Sequence, residues 1–170
     1  MASERLQQEW QDWLAEFGPR LLLFARQQAR HRYDAEDLLQ EACARAWRRH
    51  ARNGGGVPHP RFFFQAIRRV AVDWARSEDR RHLREDRYGR HGPMHDDFEC
   101  PLEADERRRE LESAVRRLPL HQQEVLVLKI WGGLTFAEIA ETLGISANTA
   151  ASRYRYALDH LRNDLATPVS

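Results

Sequence analysis

The polar side chains between residues 148 and 156 are of types that can bond to the edges of DNA bases. They follow Gly144 and Ser146, in a stretch whose apolar residues recur at intervals of three and four. Amide, hydroxyl and guanidinium groups near the start of a helix can reach base edges and phosphates in the major groove. The candidate groove-facing residues are Asn148, Thr149, Ala151, Ser152, Arg155 and Tyr156. Arg153 fits a backbone phosphate or an internal ion pair equally well.

The residues just before this set predict the elements that would position it. Thr135 followed three residues later by Glu138 is the signature of a capping box, which starts a helix. Gly144 fits the left-handed residue that ends this helix, and Ser146 can cap the next one. Small Ala140 lets the two helices approach closely, so the spacing predicts a helix-turn-helix. The alternative is an ordinary solvated helix face, which the turn residues make less favoured.

A second polar set lies on a predicted helix that begins at Asp34. Asp34 can cap the first turn, and Glu36 and Asp37 suit the positive end of the helix dipole. Leu38 and Ala42 belong to an apolar stripe, which leaves acidic residues on the other side. An acidic stripe can attract a basic partner. A merely solvated face is the alternative.

Throughout the chain the apolar residues repeat at three and four rather than at two, which predicts an all-α protein. A break is expected at Gly18-Pro19, because both residues disfavour a helix interior. A local irregularity is expected near residues 70–74, where Val70 and Val72 stand among aromatic residues. The predicted helices cover residues 6–17, 21–32, 34–52, 61–81, 111–118, 119–131, 136–143 and 147–165.

A segment rich in glycine, proline and acidic residues separates the two polar sets. It has few large apolar residues, which is typical of a mobile connection. The sequence therefore predicts two small helical domains joined by a flexible linker. Their expected bounds are residues 1–81 for the first domain, 82–103 for the acidic linker and 104–170 for the second domain.

Composition excludes several classes of protein. Of the 170 residues, 42% are hydrophobic and 31% are charged, so the chain can form cores and is not wholly disordered. It has no apolar run near 18 residues, so no membrane insertion is expected. The first 20 residues do not resemble a secretory signal, which predicts a cytoplasmic protein. Two cysteines, Cys43 and Cys100, do not make a disulfide framework.

The motifs of common enzymes are missing from the sequence. It has no glycine-rich phosphate loop, no nucleophile elbow and no paired metal motif, so neither catalysis nor a cofactor is expected. His82, His91, His95 and Cys100 could be imagined as zinc ligands. Their spacing lacks the close pairs of structural zinc sites, so no metal is expected.

Three segments resemble, in the right order, the extracytoplasmic-function (ECF) group of bacterial RNA polymerase sigma factors. Asp34–Trp47 (DAEDLLQEACARAW) is similar to region 2.2, Phe62–Trp74 to regions 2.3 and 2.4, and residues 108–163 to region 4. The resemblance implies a non-enzymatic protein that joins core RNA polymerase, directs it to promoter DNA and opens the duplex. An anti-sigma factor is a candidate further partner. A stand-alone helix-turn-helix regulator is the alternative, but it leaves the first two segments unexplained.

The resemblance also implies site residues in the first domain. Region 2.2 of the family docks on the clamp helices of the β′ subunit, and the matching positions are Asp34, Asp37, Gln40, Glu41 and Arg45. The family places minus-ten recognition at a loop between regions 2.3 and 2.4, where an unpaired base enters a pocket. The matching positions are Arg68, Arg69, Asp73, Trp74 and Arg76. Arg80 and Arg81, which continue the same predicted helix, are candidates for phosphate contacts.

Some positions depart from the family or admit two interpretations. Many relatives have Asn where this chain has Arg69, so the preferred minus-ten base is open. Trp74 fits a core residue and a base contact about equally well. In the last helix, the family's minus-thirty-five contacts match Ala151, Ser152, Arg155 and Tyr156, but Ala151 and Tyr156 stand where basic residues are frequent. Weaker or altered minus-thirty-five recognition follows.

Overall fold

The computed structural model describes residues 2–30, 34–52, 56–85 and 106–166. This part of the chain contains seven α-helices and no strand, which confirms the all-α prediction. The helices are α1 (Ala2–Gln28), α2 (Asp34–Ala51), α3 (Pro60–Glu85), α4 (Glu106–Arg117), α5 (Leu120–Ile130), α6 (Phe136–Leu143) and α7 (Ala147–Ala166).

The chain divides into two compact units, as the prediction of two helical domains requires. Unit 1 is Met1–Asp96 and contains α1 to α3, and unit 2 is Asp97–Ser170 and contains α4 to α7. Helix α3 continues to Glu85, so the first four residues of the predicted linker are helical. The rest of that linker, with His91, His95 and Cys100, lies outside the described residues, and its flexibility stays a prediction.

Helix α1 runs without interruption through Gly18 and Pro19, so the predicted break is wrong. A proline inside a helix lacks one N–H donor and crowds the preceding turn, which costs about 3 kcal/mol. Packing on both sides of Pro19 offsets this cost. Before it, the Trp13 ring lies 4.6 Å from the Phe63 ring, and after it Phe24 is fully buried. Both halves of α1 face the same core, which favours one helix.

The core of unit 1 lies where α1, α2 and α3 meet. Helix α3 is regular through residues 70–74, so the irregularity expected there is absent. The rings of Phe24 and Phe64 meet edge to face, with their centroids 5.5 Å apart. The buried residues of α2 and α3 are Ala35, Leu38, Ala42, Ala46, Phe63, Phe64, Ile67 and Val70. Their burial leaves the opposite faces of α2 and α3 exposed.

In unit 2, α6 and α7 form the predicted helix-turn-helix. The Thr135 hydroxyl accepts a hydrogen bond from the Glu138 backbone N–H, and the Glu138 carboxylate accepts one from the Thr135 backbone N–H, at 3.2 and 2.9 Å. Gly144 ends α6 with φ of +69°, the left-handed conformation that glycine adopts without strain. Ser146 caps α7 by accepting a hydrogen bond from the Thr149 N–H at 3.0 Å. The two helices pack through buried small residues, Ala140, Ala150 and Ala157.

Candidate functional site

The outer face of α2 carries the residues expected to bind core polymerase. Asp34, Asp37, Glu41 and Arg45 recur at intervals of three and four and so lie along one strip of the helix. Asp37 and Arg45 are exposed, whereas Asp34 and Glu41 are half-buried. Gln40 is exposed beside the strip. The structure thus brings this predicted set together on one accessible surface.

Arg45 joins this strip to helix α3. Its Nε donates a hydrogen bond to Glu41 Oε1 at 2.7 Å, and its Nη1 donates one to Asp73 Oδ2 at 3.0 Å. The hydrogen bond to Glu41, and then that to Asp73, raises the pKa of the Arg45 guanidinium. These pairs are about half exposed to solvent, so they add little stability. The bond to Asp73 instead connects the two predicted sites of unit 1, because Arg45 belongs to the predicted polymerase-binding set and Asp73 to the predicted minus-ten set.

An open groove of about 350 Å³ lies between α2 and α3. Three arginines and the partly exposed ring of Phe62 stand in its wall. Arginine can hold a strand phosphate, and an aromatic ring can stack on an unpaired base. The groove is lined by Arg45, Ala46, Arg49, His50, Phe62, Gln65, Ala66, Arg69 and Asp73.

Sequence reasoning missed four polar or aromatic residues of this groove. Arg49 and His50 come from the end of α2, and Phe62 and Gln65 from the start of α3. Only the fold brings these two helix ends together, so spacing along the chain does not reveal Arg49 or His50. A usable signal did exist on α3. Phe62, Gln65 and Arg69 follow one another at intervals of three and four residues, which places all three on one helix face.

The predicted minus-ten residues do not form one cluster. All seven lie on the uninterrupted helix α3, so the loop that the resemblance implied between regions 2.3 and 2.4 is absent. Arg68 points toward α1, where its Nη1 donates a hydrogen bond to Gln28 Oε1 at 2.8 Å. Arg81 is exposed on a different side of the helix. The residues on the face of α3 that lines the groove, or that continues it along the helix, are Arg69, Asp73, Arg76 and Arg80.

Trp74 lies beside the acidic strip of α2 and not in the basic groove. It is half-buried and lines a shallow groove with Asp37, Gln40, Glu41 and Ala44. It also borders a small cavity of about 20 Å³ between the three helices of unit 1. Trp74 follows Arg69 by five residues, which turns it well away from the arginine face on a helix of 3.6 residues per turn. Trp74 is therefore partly a packing residue.

The groove-facing set of α7 is accessible in unit 2. Asn148, Arg155 and Tyr156 are exposed, whereas Thr149, Ala151, Ser152 and Arg153 are half-buried. The Thr149 hydroxyl lies 2.8 Å from Ser146 Oγ, so this side chain takes part in the helix cap. The Arg155 guanidinium stands over the Tyr156 ring at 5.5 Å, which favours one orientation of both side chains.

The part of the chain that the structure describes contains neither a metal cluster nor a membrane-spanning helix. Within it, no group of three or more histidine, cysteine or acidic residues could hold a metal ion. None of its helices combines the length and the apolar character needed to cross a membrane. Burial raises the pKa of the Cys43 thiol to about 11, which disfavours the reactive thiolate even in mildly alkaline solution.

Comparisons with known proteins identify relatives of both units. Two family models match the chain, Sigma-70 region 2 over residues 13–81 and Sigma-70, region 4 over residues 108–161. The chain is 35% identical over 136 residues to the ECF RNA polymerase sigma factor SigK of Mycobacterium ulcerans, a match that covers 77% of this chain and 72% of the relative. The corresponding protein of Mycobacterium tuberculosis strain H37Rv is 34% identical over the same shares of the two chains.

Solved structures share the fold at lower sequence identity. The sigma factor RpoE from Bartonella quintana, solved with the anti-sigma factor NepR, has a TM-score of 0.70 and 21% identity over 94% of this chain and 98% of its own. CnrH, solved with the cytosolic domain of CnrY, has a TM-score of 0.54 and 21% identity over 96% and 91%. Together with the SigK match, the two region models show that the chain belongs to the ECF family of RNA polymerase sigma factors.

Proposed function

We propose that this RNA polymerase sigma factor divides its work among three surfaces. The strip on α2 binds the β′ clamp helices of core polymerase. The α2–α3 groove and the arginine face of α3 engage the minus-ten element, and α7 recognises the minus-thirty-five element. The observation that carries the proposal is the contrast between two neighbouring helices. On one shared core, the first half of α2 presents the exposed acidic groups Glu36 and Asp37, and α3 presents the exposed arginines Arg69, Arg76 and Arg80.

For the polymerase surface, the support comes from the composition of the strip. Asp37 and Gln40 are exposed beside the half-buried ring of Trp74, and all three line the same shallow groove. A large aromatic side chain surrounded by polar groups is typical of the energetic centre of a protein interface. We therefore assign Trp74 to the polymerase surface, although the resemblance had placed it among the minus-ten residues.

For the minus-ten element, the support comes from the groove between α2 and α3. Its volume of about 350 Å³ is large enough for a single base. The exposed part of Phe62 offers a stacking surface, and Gln65 offers an amide for the base edge. Arg69, Arg76 and Arg80 extend from the groove along α3, where they can follow strand phosphates. These features suit single-stranded DNA better than duplex.

For the minus-thirty-five element, the support is the geometry of the helix-turn-helix. The capped turn around Gly144 holds α7 against α6, and the N-terminal half of α7 exposes Asn148 and Arg155. Such a helix enters the major groove of duplex DNA. Arg155 is the side chain suited to a bidentate bond with guanine, because its guanidinium is exposed.

The relatives suggest where the protein works and what restrains it. RpoE was solved with an anti-sigma factor and CnrH with the cytosolic domain of CnrY. By analogy, we infer that a regulatory protein of this kind covers surfaces of this chain in the cytoplasm. As a sigma factor, the chain would carry no catalytic activity of its own, because the polymerase to which it binds catalyses RNA synthesis.

The polymerase surface is tested by reversing its charge. We expect the double substitution Asp37→Arg and Glu41→Arg to abolish retention on immobilised core polymerase, with helix content unchanged in circular dichroism. The matched control is Asp12→Arg with Glu16→Arg, a pair with the same spacing that is exposed on α1. The control should bind core polymerase and support run-off transcription. If the α2 variant still co-purifies with core polymerase, the assignment of this surface is wrong.

A further inference from the structure

Lys129 is the only lysine among the 27 lysine and arginine residues of the chain. It is the tenth residue of α5, and its side chain is half-buried. Its Nζ donates a hydrogen bond to the backbone carbonyl of Leu134 at 3.1 Å and lies 4.8 Å from the centre of the Phe136 ring. One ammonium group thus makes a charge-assisted hydrogen bond and a cation–π contact across the turn between α5 and α6.

The turn that Lys129 spans is tight and has few ways to adjust. The Leu134 N–H bonds back to the Leu128 carbonyl at 3.1 Å, and the Leu134 side chain is fully buried. Gly133 has φ of +65°, which a residue with a side chain would adopt only with strain. Lys129 adds the side-chain contact that fixes the far end of the turn, where α6 begins.

The contact extends into α7 through two aromatic rings. Phe136 is the first residue of α6, and its ring centre lies 5.7 Å from that of Tyr154 on α7. Tyr154 directly precedes Arg155 in α7. Its ring faces α6, whereas Arg155 lies on the exposed face of α7 that is proposed to enter the major groove of DNA. A continuous path of side-chain contacts therefore runs from the ammonium of Lys129 to the helix that presents Arg155.

We propose that Lys129 is a positioning residue for minus-thirty-five recognition. By anchoring the start of α6 through Leu134 and Phe136, it sets the angle at which α7 presents Arg155 to the major groove. The proposal rests on the function proposed above for α7. Lys129 bonds within unit 2, so it acts on DNA affinity without contacting a phosphate.

The test measures binding of the full chain to a duplex that carries the minus-thirty-five element, with a scrambled duplex for comparison. Lys129→Met keeps the length of the side chain and removes its charge. We expect it to weaken binding to the element about tenfold, the loss of one partly buried charge-assisted contact. Lys129→Arg should restore most of the affinity. Arg116→Met, which removes an exposed cation from α4, should change affinity by less than twofold.

Salt dependence separates positioning from direct contact with DNA. A residue that neutralises a phosphate contributes about 0.9 to the slope of log affinity against log salt. We expect Lys129→Met to leave this slope unchanged, and a loss of that size would overturn the proposal. In the Phe136→Leu background, Lys129→Met should have a smaller effect, because the path through the ring is already broken and only the hydrogen bond to the Leu134 carbonyl remains to be lost. Equal effects in both backgrounds would also overturn the proposal.

The controls distinguish this proposal from the function on which it rests. All measurements are made below the melting temperature of each variant, and Lys129→Gln, which keeps a neutral donor, replaces Lys129→Met if the latter does not fold. If Arg155→Ala abolishes the preference for the element and Lys129→Met does not weaken binding, only the positioning role fails. If Arg155→Ala leaves that preference intact, the function proposed for α7 fails as well.

Discussion

Two neighbouring arginines of α3 show that the fold, and not only the residue type, determines the role of a side chain. Arg68 and Arg69 are neighbours of the same type, yet Arg68 binds Gln28 inside unit 1 and Arg69 lines the exposed groove. Each residue along a helix is rotated by about 100° from the one before, so neighbours face different surroundings. The side-chain type alone does not reveal which of the two arginines is available to bind a ligand in the groove.

The two exposed arginines Arg155 and Arg69 are expected to act on different promoter elements. Arg155→Ala should weaken binding by roughly 1–3 kcal/mol and relax the preference at one minus-thirty-five position, because a bidentate base contact is lost. Strand opening should survive. Arg69→Ala should leave duplex binding intact but impair opening or change the tolerated minus-ten base. Permanganate footprinting and run-off transcription on single-base promoter variants measure both effects. A shift at the same element for both substitutions would contradict this division.

Cys43 is expected to make unit 1 less stable at high pH. Burial raises the pKa of its thiol from 9.0, the value for an exposed thiol, to about 11 in the folded protein. The raised value means that the folded state keeps this proton while the unfolded state loses it. The stabilisation is complete below pH 8 and is lost as the pH rises toward 11. Urea unfolding should therefore show that Cys43→Ala, compared with its parent in a Cys100→Ser background, gains relative stability over this range. A constant difference would contradict the assignment.

At the scale of helices, local signals were predicted well and long-range packing was not. The capping box at Thr135 and the left-handed Gly144 depend on a few neighbouring residues, so the sequence contained all the information needed. The continuity of α1 through Pro19 depends on contacts with residues far away in the chain, such as Phe63. The α2–α3 groove has the same origin, because Arg49 and Phe62 meet only after both helices have packed. The acidic strip was predicted because its spacing lies within one helix.

Two glycine-to-alanine substitutions, one inside α1 and one just after α5, are expected to have opposite effects on the stability of their units. Gly18→Ala should stabilise unit 1 by about 0.5–1 kcal/mol, because the position is helical and an added Cβ meets nothing within 4 Å. Gly132→Ala should destabilise unit 2 by about 1–3 kcal/mol, because its Cβ would lie 2.5 Å from the Leu128 carbonyl oxygen. Thermal and urea unfolding of the two variants measure these changes. Destabilisation by Gly18→Ala would show that α1 is interrupted at Pro19.

At the scale of the whole molecule, the two units have separate cores. Unit 1 is built around Phe24, Phe63 and Phe64, and unit 2 around Leu126, Leu134 and Ile139, all fully buried or nearly so. A unit with its own core can fold without the other. Under the function proposed above, a separately folded part of the protein would bind each promoter element.

Residues 104–170 are therefore expected to fold alone and to bind promoter DNA weakly. The isolated fragment should show a cooperative thermal transition in circular dichroism. Its affinity for duplex DNA should fall steeply with salt, with a log-log slope of about 0.9 for each phosphate neutralised. Fluorescence anisotropy on minus-thirty-five and scrambled duplexes, at several salt concentrations, gives the affinity and the slope. An affinity that does not respond to salt would argue that α7 does not face the DNA backbone.

The Arg45–Asp73 pair has a consequence for how this protein can be altered. Substitutions at two surfaces usually add independently, but residues in direct contact do not. Arg45 lies on the α2 strip that we propose binds core polymerase, and Asp73 lines the α2–α3 groove. Because the two side chains are hydrogen-bonded, a change at either position alters the surroundings of the other. Directed evolution toward a new minus-ten preference through Asp73 would therefore also select at Arg45. Paired libraries at these two positions should yield active variants that single-site libraries miss.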